Sequence, residues 1–363
     1  MTNDFFLTEW FFYVLRWLYS VLGNSYFLTV FIVTLILRLV QIFPDIQSRK
    51  TQRKQAALQP QIDKLKEKYA NDPQKLNQEQ SKLMRENGIG CLSGCLPMLL
   101  TLPLFFCFLA AFRFWGYEQT VKLTYETIVD QTQTDETKKL AGDTFESYRF
   151  LWITNIWQPD SGFAPVVTEA KTVAAYGNST GLGCSCSGNQ QQQPGSKIGN
   201  MVIFSGKETG YTNGNGEYVS GEQIWNTFVD SGLASGEFGS SEMQLLQTDE
   251  SKEKYNDLMK VYDKGHNNGW FVLPLLAAGF QFLLAWLSQR QQKKMNPNAS
   301  SGPQQNMNFM MWMFPIMSIV FCLQSTSAFA LYWVLSSILQ IGTNLILGRI
   351  MDNKYPPQEI TAK

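Results

Sequence analysis

The chain has 363 residues, with 30 basic and 30 acidic side chains, so its whole-chain charge says nothing about partners. That length suits two soluble domains or a membrane bundle with an added domain. Mean hydropathy is slightly negative, yet the apolar residues sit in blocks separated by long polar stretches, which excludes an evenly patterned soluble fold. With one histidine, His266, and no C-x-x-C pair, a metal site or His-based catalysis is not expected, and Cys184 and Cys186 are too close for an ordinary zinc site or an unstrained disulfide. Cys95, Cys107 and Cys322 lie in or beside apolar blocks, where cysteine acts as a small hydrophobe.

Residues 1–23 are aromatic and apolar, but Asp4 and Glu9 and the lack of a small-residue cleavage site set them apart from a secretory signal. The pattern predicts an amphipathic helix over 11–22 on the membrane surface, with Trp10, Phe12, Tyr13, Trp17 and Tyr19 suited to the headgroup region. A spanning helix needs about 20 mostly apolar residues. Stretches 26–43, 91–115, 270–287, 307–323 and 328–350 qualify, the first ending at Pro44 and the last two joined by the turn Gln324-Ser325-Thr326-Ser327. The expected division is an interfacial helix over 1–23, transmembrane helix 1 over 24–44 and a helical hairpin over 45–88. Helix 2 follows over 89–115, a polar region over 116–268, helix 3 over 269–288 and a loop over 289–306. Helices 4 and 5 occupy 307–350, and a tail runs over 351–363.

Within the hairpin, Asp72 before Pro73 predicts an N-cap with proline at the first helical position. Leu58, Ile62, Leu65 and Tyr69 fall on one face, and Leu76 and Leu83 form the opposing stripe of a seam. The region 118–268 is polar and acidic. Its stretch 181–195, with glutamines 190–193, reads as a linker; 201–204 and 223–228 read as short strands or a helix within a domain of unassigned fold. In the last span Ser336, Ser337, Gln340, Thr343 and Asn344 recur at helical steps and share a face, as residues do where a helix packs on others or lines a wet cavity.

Charge sets the orientation. The hairpin carries Arg49, Lys50, Arg53, Lys54, Lys64, Lys66, Lys68, Lys75, Lys82 and Arg85, and the loop after span three carries Arg290, Lys293 and Lys294. Basic loops stay in the cytoplasm, so the hairpin, that loop and the C-terminus are expected inside, and the N-terminus and acidic region outside. Arg38 lies about one and a half turns from Pro44 inside the first span. Such a charge costs at least about 2.5 kcal/mol to insert and belongs in a bundle interior or wet cavity, with Thr34 one turn away to help hydrate it. Snorkelling to the headgroups is the alternative. The spans contain no acidic residue, which suggests a charge that awaits a partner's carboxylate rather than a fixed salt bridge.

The stretch Thr34-Leu35-Ile36-Leu37-Arg38 with Pro44, then Leu58-Gln59-Pro60, then residues 94–103 (Gly-Cys-Leu-Pro-Met-Leu-Leu-Thr-Leu-Pro), resembles the YidC-type membrane protein insertases. Phe150-Leu151-Trp152-Ile153, Leu273-Pro274 and Leu331-Tyr332-Trp333 continue the likeness in order, and residues 164–266 fall outside it as an insertion into an outer loop. The pattern departs at Gly90-Cys91, where Asn-Pro is usual, at Thr101 for glutamine, at Ser327-Ala328-Phe329 for a Pro-Ala-Gly-like turn, and at Ser336-Ser337 for Ser-Asn.

The resemblance implies an all-α membrane protein: a five-helix insertase core, a cytoplasmic helical hairpin and a polar extracytoplasmic insertion. It implies a hydrophilic groove centred on Arg38 and lined by Thr34, Thr101, Gln281, Trp333, Ser336, Ser337 and Gln340. Implied partners are nascent membrane proteins, the phospholipid bilayer, the ribosome, signal recognition components and the Sec translocon, in a bacterial plasma membrane. No cofactor is implied, and the chain has no phosphate-binding G-x-x-x-x-G-K-[ST] pattern. The hairpin's basic residues suit RNA, anionic lipid or simple solvation equally. An anion-binding transporter or channel using Arg38 is the alternative, but the repeated halves of a transporter are absent. An enzyme is not expected, because no nucleophile–base pair is evident.

Overall fold

The computed structural model describes residues 6–89, 91–133, 139–175, 210–240, 242–263, 265, 267–295 and 303–354, of which 6, 7, 9, 91–102, 292, 294, 295, 303–311 and 354 are described as backbone only. Cys184, Cys186, His266, the linker around 181–195 and the stretch 201–204 lie outside the described residues. So do the side chains of Cys95 and Thr101. The chain is mostly helical, as its apolar blocks require: α1 (Phe6–Val21), α2 (Tyr26–Lys68), α3 (Pro73–Glu86), α4 (Cys91–Thr132), α5 (Ala141–Ser147), α6 (Ala170–Ala174), α7 (Gly221–Asp230), α8 (Asp249–Met259), α9 (Val272–Met295), α10 (Pro303–Gln324) and α11 (Ser327–Lys354). Among the described residues, three helices are long and apolar enough to cross a membrane, within 26–68, 272–291 and 327–353, and a shorter apolar helix covers 312–324. Their outward side chains include Leu39, Val40, Phe43, Leu275, Ile316, Val320, Ile338 and Ile346, all exposed. Apolar surface of this extent on apolar helices fits a lipid-facing surface and makes the chain a multi-pass membrane protein.

Two units are present. The first comprises residues 1–26, 106–274 and 321–330. Helix α1 buries Phe11, Phe12, Leu15 and Leu18 and exposes Trp10, Tyr13 and Trp17. The aromatics expected at the headgroup level therefore divide, with Phe12 in the core. Tyr19 and Trp115 meet edge to face at 5.5 Å, and Trp115 lies 5.0 Å from Trp157. Gln119 ties this core together: it accepts from the Tyr26 hydroxyl on its side chain (2.9 Å) and from the Tyr148 hydroxyl on its carbonyl (3.0 Å).

Asn155 and Asn268 exchange backbone and side-chain hydrogen bonds of 2.7 and 2.8 Å, closing the region 155–268 at its base. Asp160, fully buried, accepts from the backbone N–H groups of Trp270 (2.8 Å) and Leu273 (2.7 Å), satisfying donors that the start of α9 leaves open. Gly269 is required there, because a Cβ would meet Asp160 Oδ1 at 1.9 Å.

The described part of the region 164–266 is a small α/β assembly. Strand β1 (Gly210–Thr212) pairs antiparallel with β2 (Tyr218–Ser220), and β3 (Ala234–Ser235) pairs with β4 (Gln244–Leu245). Ser220 and Gln223 form a capping box at the start of α7, so the stretch 223–228 is helical. Trp225, Ile224 and Phe228 on that helix are buried.

The second unit comprises residues 27–105, 275–320 and 331–363. Its hairpin forms, with Leu58, Ile62 and Leu83 of the expected seam packed together and Leu65, Tyr69 and Leu76 outside that cluster. Asp72 accepts from Lys75 N at 3.1 Å with proline at the first helical turn. Ile89 and Met84 complete the seam, outside the stripes that helical spacing predicts.

The helix does not stop where the first span is expected to end: α2 runs through Pro44 and Pro60 without interruption to Lys68. A proline inside a helix costs one backbone hydrogen bond and about 3 kcal/mol. Arg38 on one side of Pro44 pairs with Asp45 on the other.

Candidate functional site

The continuity of α2 decides the chemistry around Arg38. Seven residues make about two helical turns, so an unbroken helix sets Asp45 on the same face as Arg38. Arg38 is only 5% exposed, and its Nη2 donates to Asp45 Oδ2 at 2.6 Å. Its Nη1 donates to Gln41 Oε1 at 3.2 Å, and Nε and Nη2 donate to Thr343 Oγ1 on α11 at 3.1 and 2.6 Å. The Thr343 hydroxyl in turn donates to the carbonyl of Gln340 at 3.0 Å. A buried guanidinium is thus held by one carboxylate and two neutral oxygens.

This overturns the expectation that Arg38 has no internal acid. The spans were bounded at Pro44, and the partner is the next residue. The Thr34 side chain is buried, and its hydroxyl donates back to the Val30 carbonyl at 2.6 Å, as a threonine inside a helix commonly does.

The polar face of α11 forms as its spacing requires. Ser337 accepts from Gln281 Nε2 on α9 at 3.0 Å and donates to the Trp333 carbonyl at 2.8 Å. Trp333 Nε1 donates to Ser318 on α10 at 3.0 Å, and its ring lies 5.0 Å from that of Phe105. Ser336 and Gln340 are half-buried. Further along α2, Arg49 hydrogen-bonds Asn344 and Arg53 pairs with Asp352 and with the Met351 carbonyl. Arg38, Asp45, Arg49 and Arg53 therefore form one polar stripe facing residues of α11.

Of the expected groove residues, Gln281, Trp333 and Ser337 fall into one hydrogen-bonded chain, and the Gln340 carbonyl joins the Arg38 set through Thr343. Gln41 and Asp45 were missed as site residues, although their helical spacing from Arg38 was available once Pro44 is allowed inside the helix.

Comparison with known proteins identifies the family. A family model described as 60Kd inner membrane protein matches residues 17–205 and 232–354, which corrects the expectation that all of 164–266 falls outside the family pattern: only 206–231 does. A Clostridium perfringens protein named membrane protein insertase YidC is 32% identical over 151 residues, covering 41% of this chain and 52% of that protein. Proteins of the same name from Clostridium tetani (38% over 101 residues; 27% of this chain, 46% of that protein) and Chlorobium limicola (38% over 100 residues; 28% and 17%) match shorter segments. The chain thus spans about half the length, or less, of these relatives. With the family pattern running from residue 17 to 354 across both units, the chain belongs to the 60Kd inner membrane protein family, that of the YidC-type proteins its motifs resemble.

Proposed function

We propose that this chain is a membrane protein insertase and chaperone that moves nascent membrane proteins from the cytoplasm into the bilayer. The observation that carries the reading is the buried Arg38, held by polar groups on the apolar N-terminal half of α2 in a chain of this family. The core has five spans, with α4 and α10 joining the three long apolar helices. The N-terminus and the region 116–268 lie outside the cell, and the α2–α3 hairpin and C-terminus lie in the cytoplasm. The membrane is the bacterial plasma membrane.

A hydrophilic groove centred on Arg38, with Thr101, Gln281, Trp333, Ser336, Ser337 and Gln340 along it, receives the polar or acidic tail of the incoming chain. In so dry a setting a carboxylate is attracted far more strongly than in water. The substrate's own apolar helix then passes into lipid. Burial of about 20 apolar residues in hydrocarbon drives the step, and no nucleotide is hydrolysed. The ribosome, signal recognition components or the Sec translocon deliver substrates to the basic hairpin.

Complementation of an insertase-depleted strain with Arg38→Ala and Arg38→Lys tests this. Insertion of a substrate with an acidic translocated tail, read by protease protection, is expected to fall about tenfold with alanine, a loss of about 1.4 kcal/mol. Lysine, which keeps the charge, is expected to retain most of it. Full complementation by the alanine variant overturns the reading.

A further inference from the structure

The insertase reading leaves Asp45 unused, yet Asp45 holds the charge a substrate would need. Asp45 Oδ2 lies 2.6 Å from Arg38 Nη2, and no other carboxylate contacts that guanidinium among the described residues. The two partners differ in access to water: the Arg38 side chain is 5% exposed and that of Asp45 is 27% exposed. Taking a buried ion pair apart is costly mainly for the member that stays buried and unpaired. Asp45 can turn outward and be hydrated, whereas Arg38 cannot, so the pair opens on one side.

The remaining partners of Arg38 do not hold Asp45 in place. Gln41 and Thr343 are neutral and bind other N–H groups of the guanidinium or share Nη2 with the carboxylate. They keep the side chain oriented whichever carboxylate occupies Nη2. Arg49, four residues beyond Asp45, also lies within its electrostatic reach and offers the displaced carboxylate a second cation.

Resting on the insertase reading, we propose that Asp45 is an internal stand-in for the substrate's acidic residue: it occupies Arg38 at rest and gives way when an incoming carboxylate takes its place. The exchange is carboxylate for carboxylate, so the arginine is never stranded in the dry site. Asp45 thereby sets a threshold. A tail with a well-placed acid displaces it, and a neutral tail gains nothing from Arg38 because the guanidinium is already satisfied. Asp45 is in this sense a specificity-determining residue, tuning preference for acidic over neutral tails.

Two measurements on the full-length protein in nanodiscs and in cells separate this idea from the one it rests on. The first uses no substrate: phenylglyoxal modification of Arg38, followed by peptide mass, in the native protein, Asp45→Asn and Asp45→Glu. The second compares insertion of one reporter whose translocated tail carries either an aspartate or an asparagine. Asp45→Asn is expected to raise the Arg38 modification rate about fivefold and the acidic-to-neutral insertion ratio by a similar factor, and Asp45→Glu to restore both. In an Arg38→Ala background the Asp45 substitution is expected to leave the ratio unaltered.

Equal modification rates in the native protein and Asp45→Asn overturn the capping role outright. A faster rate with no change in ratio keeps the cap but overturns Asp45 as a selector. If Arg38→Ala also inserts acidic tails normally, the failure lies in the insertase reading of Arg38. A raised ratio that persists without Arg38 shows that Asp45 acts elsewhere and equally ends the proposal.

Discussion

Each unit of the molecule contains an arginine–carboxylate pair, and the two are built in opposite senses. In the second unit the cation is the buried partner: Arg38 is 5% exposed and Asp45 27%. In the first unit the anion is buried: Glu118 on α4 is 5% exposed, and Arg16 on α1, at 3.3 Å, is 30% exposed. Desolvation moves the buried carboxyl of Glu118 up to about 7, against the opposing pull of Arg16 and Lys122. The buried member of a pair determines how the pair responds. A guanidinium does not lose its proton near neutrality, so the Arg38 pair can respond only by changing partners. A carboxyl held near 7 can respond by taking up a proton. One pair is fit for exchange and the other for titration.

The comparison predicts that removing the more exposed partner does the greater harm, because it strands the buried one. The largest expected effect on stability is therefore at Arg16, not at Glu118. Arg16→Ala leaves Glu118 with Lys122 as its remaining cation, and Glu118 Oε1 already accepts no hydrogen bond. Because Glu118 titrates near 7, a stranded carboxylate escapes by taking up a proton, which caps the charge-dependent loss at pH 8 at about 1.4 kcal/mol. Thermal unfolding in detergent should show the full loss at pH 8 and a much smaller one at pH 6, where Glu118 is protonated and no charge is stranded. Equal losses at both pH values would mean that Arg16 acts through packing or through its 3.0 Å bond to the Gly210 carbonyl instead.

Glu118→Gln should do less harm and change the shape of the pH profile. The native carboxyl keeps its proton up to about pH 7, whereas an ordinary carboxyl releases it near 4.5. Across that window the folded state binds more protons than the unfolded state. Stability therefore falls as pH rises from about 4.5 to about 7 and is level above it, a span on the order of 3 kcal/mol. Glutamine abolishes that part of the slope. Glu126, also raised by burial, leaves a residual slope of the same sign. A profile in Glu118→Gln as steep as the native one would assign the titration to Glu126.

Much of this was legible in the sequence, and the reason for the rest is specific. The apolar blocks, the Asp72 cap, the Leu58–Ile62 seam and the polar face of α11 all follow from local spacing, which each element satisfies by itself. The partner of Arg38 did not follow, because the search for an acid stops at the span's end, Pro44, and Asp45 is the next residue. Proline raises the cost of continuing a helix, but tertiary and side-chain bonds decide whether that cost is met, and those bonds are invisible to a local reading. Arg16–Glu118 was hidden for a different reason. It joins residues 102 apart in sequence, and no periodicity links them. The fold of the stretch 210–263 was illegible because its strands are only two or three residues long, too short to show alternation.

The smallest expected effect tests whether burial, rather than the pairing of charges as such, governs both sites. Arg53 pairs with Asp352 along the same stripe of α2 that carries Arg38 and Asp45, but their side chains are 19% and 69% exposed. Water already solvates Asp352, and Arg53 keeps its 2.9 Å bond to the Met351 carbonyl if the acid is removed. Exposed pairs contribute about 0.2–1 kcal/mol, so Asp352→Asn should move the unfolding transition by no more than that. It should also leave the acidic-to-neutral insertion ratio where it stands in the native protein. If Asp352→Asn instead altered that ratio as strongly as Asp45→Asn, the stripe from Arg38 to Arg53 would be acting as one extended electrostatic surface. The distinction between a buried, exchangeable pair and an exposed one would then lose its basis.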